Sequence, residues 1–365
     1  MSATVLIAGG GTGGHLFPGL AVAGRMLAQR PGLALAFVNA GRPLESRVLA
    51  AAGYDQEVLP ARAFRGKGLF ARLAALAVVP GAVTRALGLI RRRRPGLVLA
   101  VGGYAALPLG LAARLSGVPL AVQEQNAVPG LTNRVLGKLA RRVFVAFAAA
   151  ARHFPAGKSL FTGNPVRPEL LAQAAEVVRE DPARRFTVLV IGGSQGAASL
   201  NRAVTGALKL LAGRRERLFF IHQTGEKDAP WVRRAYAEAG FAAEVAPFFD
   251  QVGSCYGRAH LVLCRSGAGT VTEGLATGRA LICVPYPHAA GDHQRLNAEA
   301  LVSQGAARLI PDAELTPERA ARVISELMDH PEALAAMEDK AREMARPRAA
   351  DVIAASCLEL MEEAA

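Results

Sequence analysis

The chain has 365 residues, enough for two domains of ordinary size, each with its own core. Half of it is apolar and only 5% aromatic; no run of eighteen uncharged apolar residues occurs and the N-terminus lacks a signal peptide's charged segment, which argues against a spanning helix and predicts a cytoplasmic setting. The net charge of +13 calls for an anionic partner, and four cysteines (Cys255, Cys264, Cys283, Cys357) without CxxC spacing exclude a disulfide framework.

The first predicted strand, 4–8, runs into GGGTGGHLFPG, where Gly9, Gly11 and Gly14 match G-x-G-x-x-G ahead of a helix. Such a turn lets backbone N–H groups and a helix N-terminus approach a phosphate with no Cβ in the way. The plain alternative is tight strand–helix packing. A dinucleotide fold also needs a carboxylate closing the second strand to hold the ribose. That strand, 33–38, is followed by Asn39 and Arg42, with no carboxylate before Glu45. A 2′-phosphate could still use Arg42, so a nicotinamide oxidoreductase stays open as a rival.

Residues 68–94 join a largely apolar stretch to a terminal run of arginines. Leu69, Leu73, Leu76, Val83, Leu87 and Ile90 follow helical spacing and are expected in the core, with Pro80 breaking the segment in two. Phe70, Val78 and Leu89 fall off that stripe and are expected to be exposed. Arg91, Arg92, Arg93 and Arg94, with Arg65, Lys67 and Arg72, complete a basic cluster suited to an anionic leaflet; a solvated helix end is the alternative. No stacking aromatics interleave the arginines, so nucleic acid is not expected as a partner.

Strands at 97–101, 118–122 and 142–147 finish the first half; those at 186–191, 217–222, 242–246, 260–264 and 280–284 make the second. Short apolar strands alternating with helices predict an α/β class with parallel sheets covered on both faces. The halves echo one another: TVLIAGGGTGG against FTVLVIGGSQG, and LVLAVGGYAALP against LVLCRSGAGTVTEG. Two doubly wound domains in tandem account for this repetition. FTGNPVRPEL (161–170) is the expected hinge, dividing a domain 1–163 from a domain 164–346. A last helix over 349–363, following Pro347, is free to pack back on the first domain or to dock on the second. In SGAGTVTE, Thr270 and Thr272 offer hydroxyls, and Glu273 can accept two hydrogen bonds from a sugar diol; a solvated helix residue is the alternative reading of Glu273.

GGGTGGHLFPGLAVA, FRGKG, VGGYAALP, EQNAVPGLTNR, GNPVR, IGGSQGA, CRSGAGTVTE and HQRLNA occur in an order that closely resembles the MurG family. The resemblance spans Val5 to about Ala320. It implies a GT-B fold, two Rossmann-like domains facing across a cleft. It further implies an inverting transfer of GlcNAc from UDP-GlcNAc to the undecaprenyl-pyrophosphoryl muramyl-pentapeptide (lipid I), forming lipid II by a β-1,4 linkage. Carried over residue by residue, the donor contacts are Thr12, Gly13, Gly14, Asn126, Arg167, Ser194, Phe249 beside the uracil, and Gln294 at the GlcNAc hydroxyls. Ala268, Gly269, Thr270, Val271, Thr272 and Glu273 would wrap the diphosphate and ribose. Gly11, Tyr104, Glu124 and Asn133 fall on the acceptor side. The resemblance also implies peripheral attachment at the cytoplasmic face of the membrane, with Phe70, Leu73, Val78 and the four arginines as contacts and with cell-wall and division proteins as further partners. His293 beside Gln294, where many relatives carry a second glutamine, and Gly269, where a bulkier residue is common, are local departures.

An inverting transfer needs a base for the acceptor hydroxyl and positive charge for departing UDP. His15 is the first candidate base and Glu124 the second. No D-x-D occurs, so helix N-termini and Arg167 are expected to carry the leaving-group charge, with no metal and no cofactor. A sugar-nucleotide epimerase and a non-catalytic basic surface protein are the remaining rivals.

Overall fold

The computed structural model describes residues 4–10, 13–59, 69–193 and 195–364, with side-chain placement for all of these except 13, 44 and 69–78. It divides into two compact units, Met1–Pro165 with Pro347–Ala365, and Val166–Arg346.

The first unit holds seven strands: β1 (Thr4–Ala8), β2 (Ala34–Asn39), β3 (Asp55–Val58), β4 (Pro95–Ala100), β5 (Leu120–Glu124), β6 (Arg142–Val145) and β7 (Ser159–Phe161). They form one sheet in the order β3-β2-β1-β4-β5-β6-β7, every pairing parallel. The second unit holds β8 (Phe186–Ile191), β9 (Leu218–Gln223), β10 (Ala242–Ala246), β11 (Leu261–Cys264), β12 (Ala280–Cys283) and β13 (Ala307–Leu309). Its sheet runs β10-β9-β8-β11-β12-β13, again all parallel. Both orders are the doubly wound one, so the sequence echo between the halves is an echo of topology.

The reason lies in the strands themselves. VLIA, LVLA and FTVLVI are buried along their whole length, as central strands covered by helices on both faces must be. In the first unit one face packs Leu6, Val98, Val122 and Val143 against Ala106, Leu109 and Leu136. The other packs Ile7, Phe37 and Leu99 against Leu16, Met26 and the last helix, Ala349–Glu362, through Ile353, Ala354 and Cys357. Arg25 and Arg142 clamp that helix through Asp351 and Ser356.

The predicted strands all occur, their ends shifted by a residue or two. Three strands lie outside that reading: β3 (DQEV), β7 (SLF) and β13 (ARL). All are sheet edges of three or four residues, held by backbone pairing and not by an apolar signature.

The segment expected to break at Pro80 is instead one helix, Leu69–Arg93. Pro80 lies on its solvent side, where water can satisfy the carbonyl that the proline ring leaves without a donor. Leu89, expected to be exposed, is buried: the core face of this helix carries Ala82, Ala86, Leu89 and Ile90 at three- and four-residue spacing. Val83 and Leu87 are half-buried, and Leu69, Phe70, Leu73, Leu76 and Val78 lie outside the described side chains, as Arg65, Lys67 and Arg72 do.

Candidate functional site

In an open parallel sheet the order reverses at one place, and the loops leaving the two strands there open a crevice at their carboxyl ends. In the first unit that place is β1/β4 and in the second β8/β11. The glycine turns of the sequence fall on all four of those loops.

In the first unit the turns after β1 and β4 touch backbone to backbone. Gly103 has φ +86°, and a Cβ there would lie 2.2 Å from the Gly10 carbonyl oxygen, so no other residue fits. His15 stands in the first turn of the Gly13–Gln29 helix, half-buried, with Nδ1 3.1 Å from Gln125 Oε1. Tyr104 is half-buried under the guanidinium of Arg42, 5.4 Å from its ring centroid. Gly11 and Thr12 lie outside the described residues; Gly13 opens the helix and Gly14 is exposed. Glu45 is buried and accepts from the N–H groups of Ala40 and Arg42, capping the Pro43–Ala51 helix.

Glu124, Asn126 and Asn133 come together at the end of β5. Asn126 donates its backbone N–H (2.8 Å) and side-chain amide (3.2 Å) to Glu124 Oε1, and Asn133 donates to Oε2 at 2.9 Å. Burial pushes the Glu124 carboxyl up, against the pull of these donors. Both oxygens are thus engaged in holding the loop between β5 and the Leu131–Leu139 helix.

In the second unit the turn after β11 leads into the Ala268–Ala276 helix, whose N-cap is Gly267 with no side-chain cap on its first N–H groups. Glu273, in the second turn, accepts a 3.2 Å hydrogen bond from the buried Tyr256 hydroxyl, which also donates to the Thr270 carbonyl at 3.3 Å. Although its surface is only partly covered, its carboxyl is hemmed in by protein: burial pushes it up to about 7, opposed by the Arg167 charge and the tyrosine. Arg167, half-buried, directly precedes the Pro168–Ala175 helix. Thr272 is buried and spends its hydroxyl on the Ala268 carbonyl at 2.7 Å, so of the two threonines Thr270 alone presents one at the half-exposed helix start beside Gly269. Ala268 and Val271 are buried.

Gln294 accepts from the Tyr286 N–H at 2.9 Å, and His293 Nδ1 lies 2.8 Å from the Ala290 carbonyl oxygen. The Phe249 N–H is spent on Gln223 Oε1 at 3.2 Å. Ser194 lies outside the described residues. Gly196, at φ +72°, seats the turn after β8 on the strand-end loop of β9: a Cβ there would meet the Thr224 carbonyl oxygen at 1.9 Å.

The sequence reading missed the residues that hold these loops. Gln223 ties Gly193 to Phe249, donating to the Gly193 carbonyl at 3.1 Å. Arg265, buried, donates to Asp312 at 2.7 Å, Ser199 at 2.7 Å and the Val284 and Pro285 carbonyls, joining four strand-end loops. The available signal was a charged residue directly after the wholly apolar LVLC. His222 and His260 are structural. His222, which burial holds down to about 3, lies within hydrogen-bond distance of Tyr236 and Asn201, and His260 Nδ1 accepts from the Thr187 N–H.

Residues 5–145 match the glycosyltransferase family 28 N-terminal domain, and residues 187–353 its C-terminal domain. A Myxococcus xanthus protein named UDP-N-acetylglucosamine–N-acetylmuramyl-(pentapeptide) pyrophosphoryl-undecaprenol N-acetylglucosamine transferase is 45% identical over 98% of this chain and 93% of its own length. The crystal structure of Acinetobacter baumannii MurG superposes with a TM-score of 0.79 at 31% identity, covering 98% of this chain and all of its own. A UDP-GlcNAc 2-epimerase from Neisseria meningitidis shares the fold at a TM-score of 0.69 but only 13% identity, over 98% of this chain and all of its own. Fold alone therefore separates transferase from epimerase poorly, whereas identity across nearly the whole chain, over both glycine-turn units, separates them well. The chain belongs to the MurG family of glycosyltransferase family 28.

Proposed function

We propose that this chain transfers GlcNAc from UDP-GlcNAc to undecaprenyl-pyrophosphoryl-MurNAc-pentapeptide with inversion, the second unit taking the donor and the first the acceptor. The observation that carries the assignment of the donor is the uncapped, glycine-headed Ala268–Ala276 helix bearing Glu273 with the Arg167 charge nearby. Its N–H groups and Arg167 would take the charge of the departing diphosphate, and Glu273 would accept from the ribose diol. Thr270, Gly269, Gln294, Phe249 and Ser194 complete the donor site in this reading. The family resemblance also assigns Thr12, Gly13, Gly14 and Asn126 to the donor, and Gly11, Tyr104 and Asn133 to the acceptor. His15 takes the proton of the acceptor hydroxyl as its oxygen bonds to the sugar C1, while the C1–phosphate bond breaks and its electron pair leaves with UDP.

Calorimetric titration tests the ligand class. UDP-GlcNAc is expected to bind and NADPH to give no heat; the reverse would revive the oxidoreductase reading that Gly9, Gly11 and Gly14 permit.

We also place the protein on the anionic cytoplasmic leaflet. Among the described residues no helix is long and apolar enough to cross a membrane. Of the three arginines ending the Leu69–Arg93 helix and Arg94 after it, Arg92 is paired with Glu57 and Arg93 with Asp55 and Glu57, so the charge offered to lipid falls on Arg91 and Arg94, both exposed. At about 1 kcal/mol per basic residue, replacing both with Ser should weaken binding to phosphatidylglycerol vesicles roughly tenfold or more. Turnover of a soluble acceptor should be spared; equal loss of both would contradict a separate membrane role.

A further inference from the structure

Gln125 sits between the two residues that the sequence reading singled out, Glu124 and Asn126, and has no part in the assignment above. It is fully buried, and its side chain is pinned at both ends. Its Nε2 donates to the Val101 carbonyl at 2.6 Å and to Gln123 Oε1, and lies 3.3 Å from the Gln123 carbonyl oxygen. Gln123 in turn donates to Asn164 Oδ1 at 3.1 Å, so its own Oε1 has to accept. Turning the Gln125 amide over would set its oxygen against three acceptors. The orientation is therefore fixed, with Oε1 facing His15 Nδ1 at 3.1 Å. An amide oxygen only accepts, so in the neutral imidazole Nδ1 must carry the hydrogen and Nε2 the lone pair. Gly102 makes room for the ring: a Cβ there would lie 2.9 Å from its Cε1 and Nδ1, so a side chain at 102 would displace the imidazole.

We propose that Gln125 is a positioning residue that holds His15 in the Nδ1–H tautomer, so that Nε2 receives the acceptor's proton. Tautomer control of a catalytic histidine is ordinarily the work of a carboxylate, which also stabilises the imidazolium. A neutral amide fixes the tautomer without adding a charge. This inference rests on the reading of His15 as base.

The test is a long-range 1H–15N correlation spectrum of the 15N-histidine-labelled full chain, with His15 assigned by its absence in His15→Asn. The expected result is the Nδ1–H pattern in wild type, lost in Gln125→Met, whose thioether keeps the length of the side chain and removes the amide acceptor. Transfer by Gln125→Met should fall roughly 10- to 100-fold in kcat with KM for UDP-GlcNAc unchanged. An Nε2–H pattern in wild type overturns the proposal without any variant, and so does full kcat in a folded Gln125→Met. Full transfer by His15→Asn would instead sink the base reading, while the spectrum would still report whether the amide sets the tautomer.

Discussion

Glu273→Ala is expected to raise the Kd for UDP-GlcNAc roughly 10- to 100-fold, the loss of a charge-assisted hydrogen-bond pair to the ribose. The same carboxyl predicts a pH dependence. Burial pushes it up to about 7 in the empty site, and only the ionised form accepts from both hydroxyls, so donor affinity should fall as pH drops below that value. Stability should move the other way. Because the folded-state value is raised, the contribution of this carboxyl to stability is fully present below the ordinary carboxyl range and is lost as pH rises through about 7. Glu273→Gln removes the buried charge and keeps the shape. At pH 8 the unliganded variant should therefore be more stable, by on the order of 1–3 kcal/mol, and show a higher Tm than wild type. Weakened donor binding together with a raised Tm would mark a carboxylate held in place for its ligand. Calorimetry showing unchanged donor affinity in Glu273→Ala would remove the ribose contact from this account.

His15→Ala is expected to lower kcat for GlcNAc transfer by roughly 10²- to 10⁴-fold, the range a positioned base supplies. The Kd for UDP-GlcNAc should stay within a few-fold of wild type, because no donor contact is assigned to the imidazole. Glu124→Gln separates the two candidates. Both Glu124 oxygens accept from Asn126 and Asn133, so that variant should disturb the 124–130 loop and lower stability. Steady-state kinetics on the folded fractions decide between them: a kcat loss in Glu124→Gln as large as that in His15→Ala, at intact stability, would return the base to Glu124.

The doubly wound architecture was legible because its central strands are short, wholly apolar and followed by glycines, a combination with few other solutions. Edge strands such as Asp55–Val58 were not, since their pairing is made by backbone groups that any sequence supplies. Pro80 misled for a different reason: a single proline breaks a helix in the interior but is tolerated on a face open to water. Leu89 falls off the stripe of large apolar residues, while the packed face is built on Ala82 and Ala86. At the site, residues that would touch a ligand stood out through glycine spacing and hydroxyls. Those that position them did not. Gln125, Gln223 and Arg265 act through carbonyls and amides brought in from distant loops, and their identity alone carries no trace of those partners.

The central claim, that this chain moves GlcNAc from UDP to a lipid-linked acceptor, is tested most directly by one assay. UDP-[14C]GlcNAc is incubated with the purified chain and a short-chain analogue of undecaprenyl-pyrophosphoryl-MurNAc-pentapeptide, and label is followed into the lipid product. The account predicts stoichiometric release of UDP and a β-linked disaccharide lipid, formed only when acceptor is present and at the same rate in EDTA. Conversion of UDP-GlcNAc without acceptor, or an acceptor that stays unlabelled while the donor binds normally, would contradict it.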